Sequence, residues 1–421
     1  MKNTTSNILI KGLFYLSLGC ILAVSSLVLP ASLFVTSAST QTPFAGLDTL
    51  PLLSLADLNY IGAFQVPNQD PNGSPLGYSG HALSYDPAQH ALYFGGHDWY
   101  QELCEIGIPA SINLSQTASV LQNCTDVTEG RLSMIDQDSI KLGGTLLYND
   151  RLIVSAYSYY DADGNQSLSH FVSAPDLAQS GDIEGPYAVG DWAGIVSGYM
   201  TTIPSAWQAA LGGPALTGNC CLSIISRTSF GPAVSAFNPD QVGSQNPVPA
   251  VPLLYYPAAH PLAAWDATSP YFNGSTQIVG IAFPIGSRSV LFFGRQGIGE
   301  FCYGTGEECS DPIDSSKGTH AYPYVHQVWA YDALDLQAVK EGMQQPWEVL
   351  PYAIWRLDEM DSAGGATIAG AAYDPGSGRV YLTERYGENP AVHVYQITVP
   401  ESPSIDRTFY LPFIAGSGTQ R

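Results

Sequence analysis

Charge is scarce in this chain. Only 12% of its 421 residues are Asp, Glu, Lys or Arg, about half the roughly 25% usual in soluble domains, so neutral polar groups must coat most of the surface. Basic residues are scarcer still, with 15 Lys and Arg against 37 Asp and Glu and a formal net charge of −22. Such a field repels a phosphate backbone, which excludes nucleic acid as a partner. Also missing are a phosphate-cradling glycine loop and a GxSxG serine elbow. Neither CxxC spacing nor a paired-histidine motif supplies a recognisable metal set. No long helical periodicity is visible, and Ser205 to Leu211 is the one short helical candidate. What the chain does have is 45% hydrophobic and 11% aromatic residues, with 42 Gly, 30 Pro and 25 Tyr. That suffices for a large core with many turns and excludes wholesale disorder.

The N-terminus has the layout of a targeting segment. Lys2 and Lys11 precede an apolar stretch from Leu13 to Val35, which ends at the small residues Thr36, Ser37, Ala38 and Ser39. Cleavage near Ala38 is the first reading. The stretch is also long enough to span a bilayer as an uncleaved membrane anchor. Residues 1–38 are therefore read as export signal or anchor, 39–57 as linker, 58–399 as a single β domain and 400–421 as a flexible tail. The expected location is secreted or cell-surface, and the expected state is monomeric.

Cys20 falls in the signal, leaving six cysteines in a chain bound for an oxidising compartment. Proximity favours Cys104 with Cys124, Cys302 with Cys309, and the adjacent Cys220 with Cys221, although six cysteines allow fifteen pairings. An adjacent pair forms an eight-membered ring that offers an apolar ligand platform; two ordinary buried thiols are the alternative.

Five seven-residue segments align without a gap: ALYFGGH from 91, RLIVSAY from 151, CLSIISR from 221, SVLFFGR from 289 and RVYLTER from 379. Their second position is always Leu or Val. Short runs rich in β-branched and aromatic residues between turn formers read as buried strands. A strand ending in Asp86-Pro87, Asn149-Asp150 or Asp374-Pro375 precedes three of them, and a further strand follows each. Four antiparallel strands per unit, repeated, make an all-β protein, a β-propeller of five blades, or of six or seven if degenerate units hide between 240 and 275. Tyr60 to Val66 is expected to close the ring beside Val392 to Ile397, removing exposed sheet edges.

The chain resembles the β-propeller superfamily most clearly at GHALSYDPAQHALYFGGHD (80–98) and GAAYDPGSGRVYLTERYG (370–387). The WD dipeptide pattern is absent, and no motif singles out an enzyme family.

The seventh heptad position reads His97, Tyr157, Arg227, Arg295 and Arg385. In so acidic a chain, three arginines at one repeat position call for a reason. Guanidinium forks match carboxylate, sulfate or phosphate oxygens, so one reading is an anion-recognising mouth; the other is that each arginine staples neighbouring blades. Loops beyond this position carry Asp98, Trp99, Tyr100, Tyr159, Tyr160, His320, Tyr322, Tyr324, His326, Glu384 and Tyr386, and entering loops add His81, Asp138 and Asp361. Tyr157, Arg227, Arg295, Arg385, Trp99 and Tyr322 are the ligand-binding candidates, since aromatic rings stack on sugar rings. The catalytic candidates are His81, His97, Asp98, His320 and Glu384. Asp161, Asp163 and Asn165 resemble the first half of a calcium loop but lack its closing glutamate, so calcium is a minor reading. Three functions follow: binding of a glycan or other small anionic ligand, a uronate polysaccharide lyase or glycosidase, and a quinone-dependent dehydrogenase, the last resting only on the adjacent cysteines and the fold.

Overall fold

A computed structural model describes residues 46–136, 139–360, 367–384 and 390–401. The chain divides into two units, Met1–Thr42 and Pro43–Arg421, and the first lies outside the described residues. Among the described residues, twenty-two strands build the second.

Strand β1 (Leu58–Gln65) comes first and is used last. Blade 1 is β2 (Ser84–Asp86), β3 (Ala91–Gly95), β4 (Leu103–Gly107) and β5 (Ser119–Thr125). Blade 2 is β6 (Ile140–Tyr148), β7 (Arg151–Ser158), β8 (His170–Ser173) and β9 (Glu184–Tyr187). Blade 3 is β10 (Met200–Thr202), β11 (Ala215–Thr217), β12 (Val234–Phe237) and β13 (Ala250–Leu254). In blade 4, β14 (Gln277–Ala282) and β15 (Ser289–Gly297) are separated from β18 (Tyr324–Asp332) and β19 (Ala353–Arg356) by an excursion. The excursion holds β16 (Cys302–Gly304), the turn-length helix α2 (Gly306–Cys309) and β17 (Gly318–His320). Blade 5 is β20 (Ile368–Asp374), β21 (Arg379–Glu384) and β22 (Ala391–Ile397), completed by β1. The five blade sheets are antiparallel and four-stranded, with β16 and β17 pairing as a separate two-stranded ribbon, so the protein is a five-bladed β-propeller. The span 240–275 contributes β13 and loop, not a sixth blade.

The apolar runs explain this architecture. Side chains alternate across a strand, and here both faces of each inner strand meet a neighbouring blade. Leu92 and Phe94 point toward blade 5, joining Tyr381, Val392 and Val394, while Tyr93 points the other way to join Leu152 and Val154 of blade 2. In blade 2, Ile153 faces Met200, Ala215 and Phe237 of blade 3. Leu216 and Val234 then meet Val290 and Phe292 of blade 4, whose Leu291 and Phe293 meet Val380 and Leu382 of blade 5. Five cores thus lie between blades rather than inside them. Each fully buried Leu, Val or Phe is worth about 1.5–3 kcal/mol of transfer free energy.

First strands pack in a closed ring around the axis: β2 on β6, β6 on β10, β10 on β14, β14 on β20 and β20 on β2. Where they converge, a Cβ on Gly143 would lie 2.0 Å from the Ser197 carbonyl oxygen, so only glycine fits. Turns at the opposite ends are held by their own aspartates. Asp86 Oδ1 accepts from Ala88 N (2.7 Å), and Asp374 Oδ1 accepts from Gly376 N (2.8 Å). Closure occurs as expected, Leu58 pairing with Ile397 and Gln65 with Ala391.

One of the five aligned segments is not a strand. The second strand of blade 3 is β11, and the segment from Cys221 to Arg227 lies in the loop beyond it, ending in a 3-10 turn over Ile225–Arg227. The reason is local: Cys221 has φ +64°, a left-handed conformation that an extended strand cannot hold. Helix α1 (Ser205–Leu211) matches its expectation. Helix α3 (Ala333–Lys340), capped by the Asp332 side chain on Leu334 N (3.0 Å), was not anticipated. No helix among the described residues is long and apolar enough to cross a membrane. All six cysteines outside the N-terminal segment are bonded, as Cys104–Cys124, Cys220–Cys221 and Cys302–Cys309.

Candidate functional site at one mouth of the propeller

Three contiguous cavities open on the face where first strands begin and second strands end. The first, about 510 Å³, is lined by Tyr78, His97, Asp98, Trp99, Gln277, Arg295, Asp314 and Thr367. The second, about 110 Å³, lies among the starts of the first strands, with His81, Asp98, Tyr157, Tyr159, Cys220, Cys221 and Gln277 in its wall. The third, about 430 Å³, runs along Tyr159, Tyr160, Cys221, Leu222, Gln277, Arg295 and Tyr303. Gln277 belongs to all three.

The wall between blades 1 and 2 is built before any ligand arrives. Lys141 Nζ donates to the Asp98 carboxylate (2.9 Å) and to its carbonyl (2.8 Å). Gln101 donates to the same carbonyl and accepts from Leu142 N. These bonds hold the 97–100 turn against β6 and leave Trp99 standing outward, 83% exposed. His97 Nδ1 accepts from Trp99 N (3.1 Å), so the neutral imidazole carries its proton on Nε2 and presents a donor. Its ring sits among Tyr78, Trp99 and Tyr100, with centroids 5.3–5.9 Å away.

Across the mouth, Arg295 is 8% exposed. Its guanidinium carbon lies 4.4 Å from the Tyr324 ring centroid, and β-pairing sets it between Gln277 and His326. Tyr324 donates to Asp311 Oδ2 (2.6 Å), which also faces His320 Nδ1 (3.1 Å). Burial, and then the Asp311 hydrogen bond, push the Tyr324 phenol above its ordinary range. Burial alone would raise Asp311, but hydrogen bonds from Tyr324, Ile313 N and Asp314 N hold it below the usual carboxylate range. His320 Nε2 lies 3.0 Å from the carbonyls of Gly304 and Ser316. Both its ring nitrogens therefore face acceptors within the excursion, and with Cys302–Cys309 it clasps that segment beside the mouth. His326 Nδ1 donates to the Met360 carbonyl (3.1 Å), and burial lowers the pKa of the imidazole to about 4.

No family model matches the chain, and no curated protein matches it. Solved structures do. A luciferin-regenerating enzyme aligns over 82% of this chain and 95% of its own at 8% identity, with a TM-score of 0.35. A proposed glycoside hydrolase from Parabacteroides distasonis aligns over 85% and 99% at 10% identity and 0.38. The β-propeller domain of Cps50 (Swd1) from Myceliophteria thermophila aligns over 73% and 68% at 7% identity and 0.30. At such identities the likeness says nothing about activity.

The expected ring of arginines does not form as drawn. Arg295 lines the mouth. Arg227, displaced from the strand register, donates from Nε to the Asp161 carbonyl (3.1 Å) and from Nη2 to the Ala162 carbonyl (2.9 Å). Arg385, Asp138, Asp361 and Tyr386 lie outside the described residues. The Arg227 contacts also bear on the calcium reading. A guanidinium sits on the loop's carbonyl oxygens, and Asp161 Oδ1 accepts from Asn165 N (2.8 Å), while Asp163 is exposed. Among the described residues no group of three His, Cys, Asp or Glu is placed to hold a metal. Glu384 pairs with His393 Nε2 (3.2 Å), whose Nδ1 meets Tyr60 Oη (3.0 Å). Tyr322 packs edge-on against Tyr324, 6.2 Å between centroids, and lines none of the three cavities.

The sequence reading missed Gln277, Asp314, Thr367 and Tyr78. Gln277 could have been found as the residue opposite Arg295 in the first hairpin of blade 4; Asp314 sits in an excursion with no repeat signal.

Proposed function

We propose that this propeller recognises a glycan bearing a carboxylate at the mouth, with Arg295 as the partner of the acidic group. The observation that carries the reading is one buried guanidinium at the edge of a cavity of about 510 Å³ whose rim holds exposed aromatic rings: Trp99, Tyr78 and, in the adjoining cavity, Tyr159, Tyr160 and Tyr303. Pyranose rings have apolar C–H faces that aromatic side chains cover, while a carboxylate accepts a guanidinium fork. The cavity is within the usual range for small-molecule sites. Tyr324 beneath Arg295 and the Lys141–Asp98 pair fix the walls in advance, which lowers the ordering cost of binding.

Binding fits four of the five candidate acid-base groups better than bond cleavage does. His97 offers a donor at Nε2, His320 is engaged at both nitrogens, Glu384 is paired with His393, and Asp98 is paired with Lys141. Each is suited to holding a ligand or a loop rather than to taking a proton from one.

The experiment is calorimetric titration with glucuronic acid and with glucuronate-containing oligosaccharides. Replacing Arg295 by Gln removes the charge-assisted contact and is expected to weaken binding roughly ten- to hundredfold. Equal affinity of R295Q and the parent protein, or release of unsaturated uronate ends detected by absorbance, would overturn the reading.

A further inference from the structure

Arg295 on one side of the mouth and His97 with Trp99 on the other leave the disulfide between Cys220 and Cys221 without a role. Cys220 and Cys221 are bonded to each other with Cα atoms 3.8 Å apart. A cross-link stabilises mainly by shortening the loop freedom of the unfolded chain, and its effect grows with the number of residues enclosed. A bond between neighbours encloses none, so stabilisation of that kind is at its minimum here. The other two disulfides have evident structural duties: Cys104–Cys124 ties β4 to β5, and Cys302–Cys309 closes the blade 4 excursion.

Position gives the adjacent pair a different duty. Cys220 and Cys221 line the 110 Å³ cavity with Tyr157 and Tyr159, and Cys221 and Leu222 continue into the 430 Å³ cavity opposite Tyr160. The loop is anchored behind them. Asn219 N donates to the Ile195 carbonyl (3.0 Å), and Asn219 Nδ2 donates to Ser197 Oγ (3.2 Å). Oxidation removes both S–H donors, leaving two polarisable sulfurs that offer dispersion contact and little hydrogen bonding. The result is a stiff apolar floor flanked by phenol rings: Cys220 is rooted in the core between blades 3 and 4, while Cys221 packs against that core and, with Leu222, is part-exposed to the cavities. Through Gln277 it adjoins the Arg295 compartment.

From this we infer that the Cys220–Cys221 ring and Leu222 form a second subsite, the floor for the apolar face of a neutral sugar ring linked to the acidic one. The ligand class is then a uronate-containing oligosaccharide of at least two rings, not a free sugar acid. This inference rests on the glycan reading above and adds the second compartment to it.

The test compares glucuronic acid with a glucuronic acid–glucose disaccharide by calorimetry, on the parent protein and two variants. In the parent the disaccharide is expected to bind about tenfold more tightly than the monosaccharide. In the double variant C220A/C221A, with its fold verified by circular dichroism, that advantage disappears while glucuronic acid binds as before. Should the double variant fail to fold, Leu222→Asp places a charge on the same floor with the disulfide intact, and the same loss of advantage is expected. An advantage that persists in a folded variant, or one that the parent never shows, overturns the subsite and leaves the carboxylate reading standing. Absence of binding by either sugar overturns both.

Discussion

The central carbon of the Arg295 guanidinium lies 4.4 Å from the centroid of the Tyr324 ring, while the hydroxyl of that ring donates to Asp311 Oδ2 (2.6 Å). One tyrosine therefore supports the cation of the mouth with its face and anchors the blade 4 excursion with its edge. A cation on an aromatic face gains roughly 0.5–2 kcal/mol as it is desolvated.

These two duties separate by substitution. Tyr324→Phe keeps the ring and deletes the bond to Asp311, which costs about 1.5–3 kcal/mol for a buried bond to a charged acceptor; urea unfolding measures it. Tyr324→Leu loses the ring as well, so uronate affinity should fall further in the Leu variant than in the Phe variant. Equal affinity in the two would show that the ring does not position Arg295.

A second prediction concerns pH and lies far from the mouth. Glu105 is buried on β4, accepts from Gln122 Nε2 (2.8 Å) and meets Asp86. Burial first, and then the hydrogen bond and repulsion from Asp86, raise its pKa to about 7 from 4.5. The folded protein thus keeps a proton that the unfolded chain releases. Stability from this group is complete below pH 4.5 and is lost as pH rises through about 7. Glu105→Gln, an uncharged mimic, should flatten the fall in unfolding free energy between those limits. A variant whose pH profile overlays that of the parent protein would place the titration elsewhere.

Ring closure gives a third. Phe64 of β1 is fully buried among Leu92, Phe94, Tyr381 and Val392 at the junction of blades 1 and 5. Phe64→Ala should cost about 3–5 kcal/mol, read by thermal or denaturant unfolding. A loss under 1 kcal/mol would mean that the closing strand contributes little to the ring.

Legibility followed burial. Leu92, Ile153 and Leu291 sit in runs buried on both faces, so the architecture and the closing strand could be read from hydrophobicity and turn residues alone. Blade 3 misled for a physical reason: its true second strand, Ala215–Thr217, is three residues long, whereas the apolar loop after Cys221 imitates a strand. Helix α3 escaped notice because only Ala333, Leu336 and Val339 are buried along it, too short a stripe to register. At the mouth, repeat position located His97, Tyr157 and Arg295. Gln277 follows only once the first hairpin of blade 4 is paired in register opposite Arg295, and Asp314 sits in an excursion that carries no repeat signal.

Because Leu58 must find Ile397, the wheel cannot lock until nearly the whole domain has been synthesised. Early blades have to wait with one flank of blade 1 uncovered, and pairings this remote in the chain make folding slow. During that interval the apolar flank built from Leu92 and Phe94, which β1 and blade 5 later cover, stays open to water.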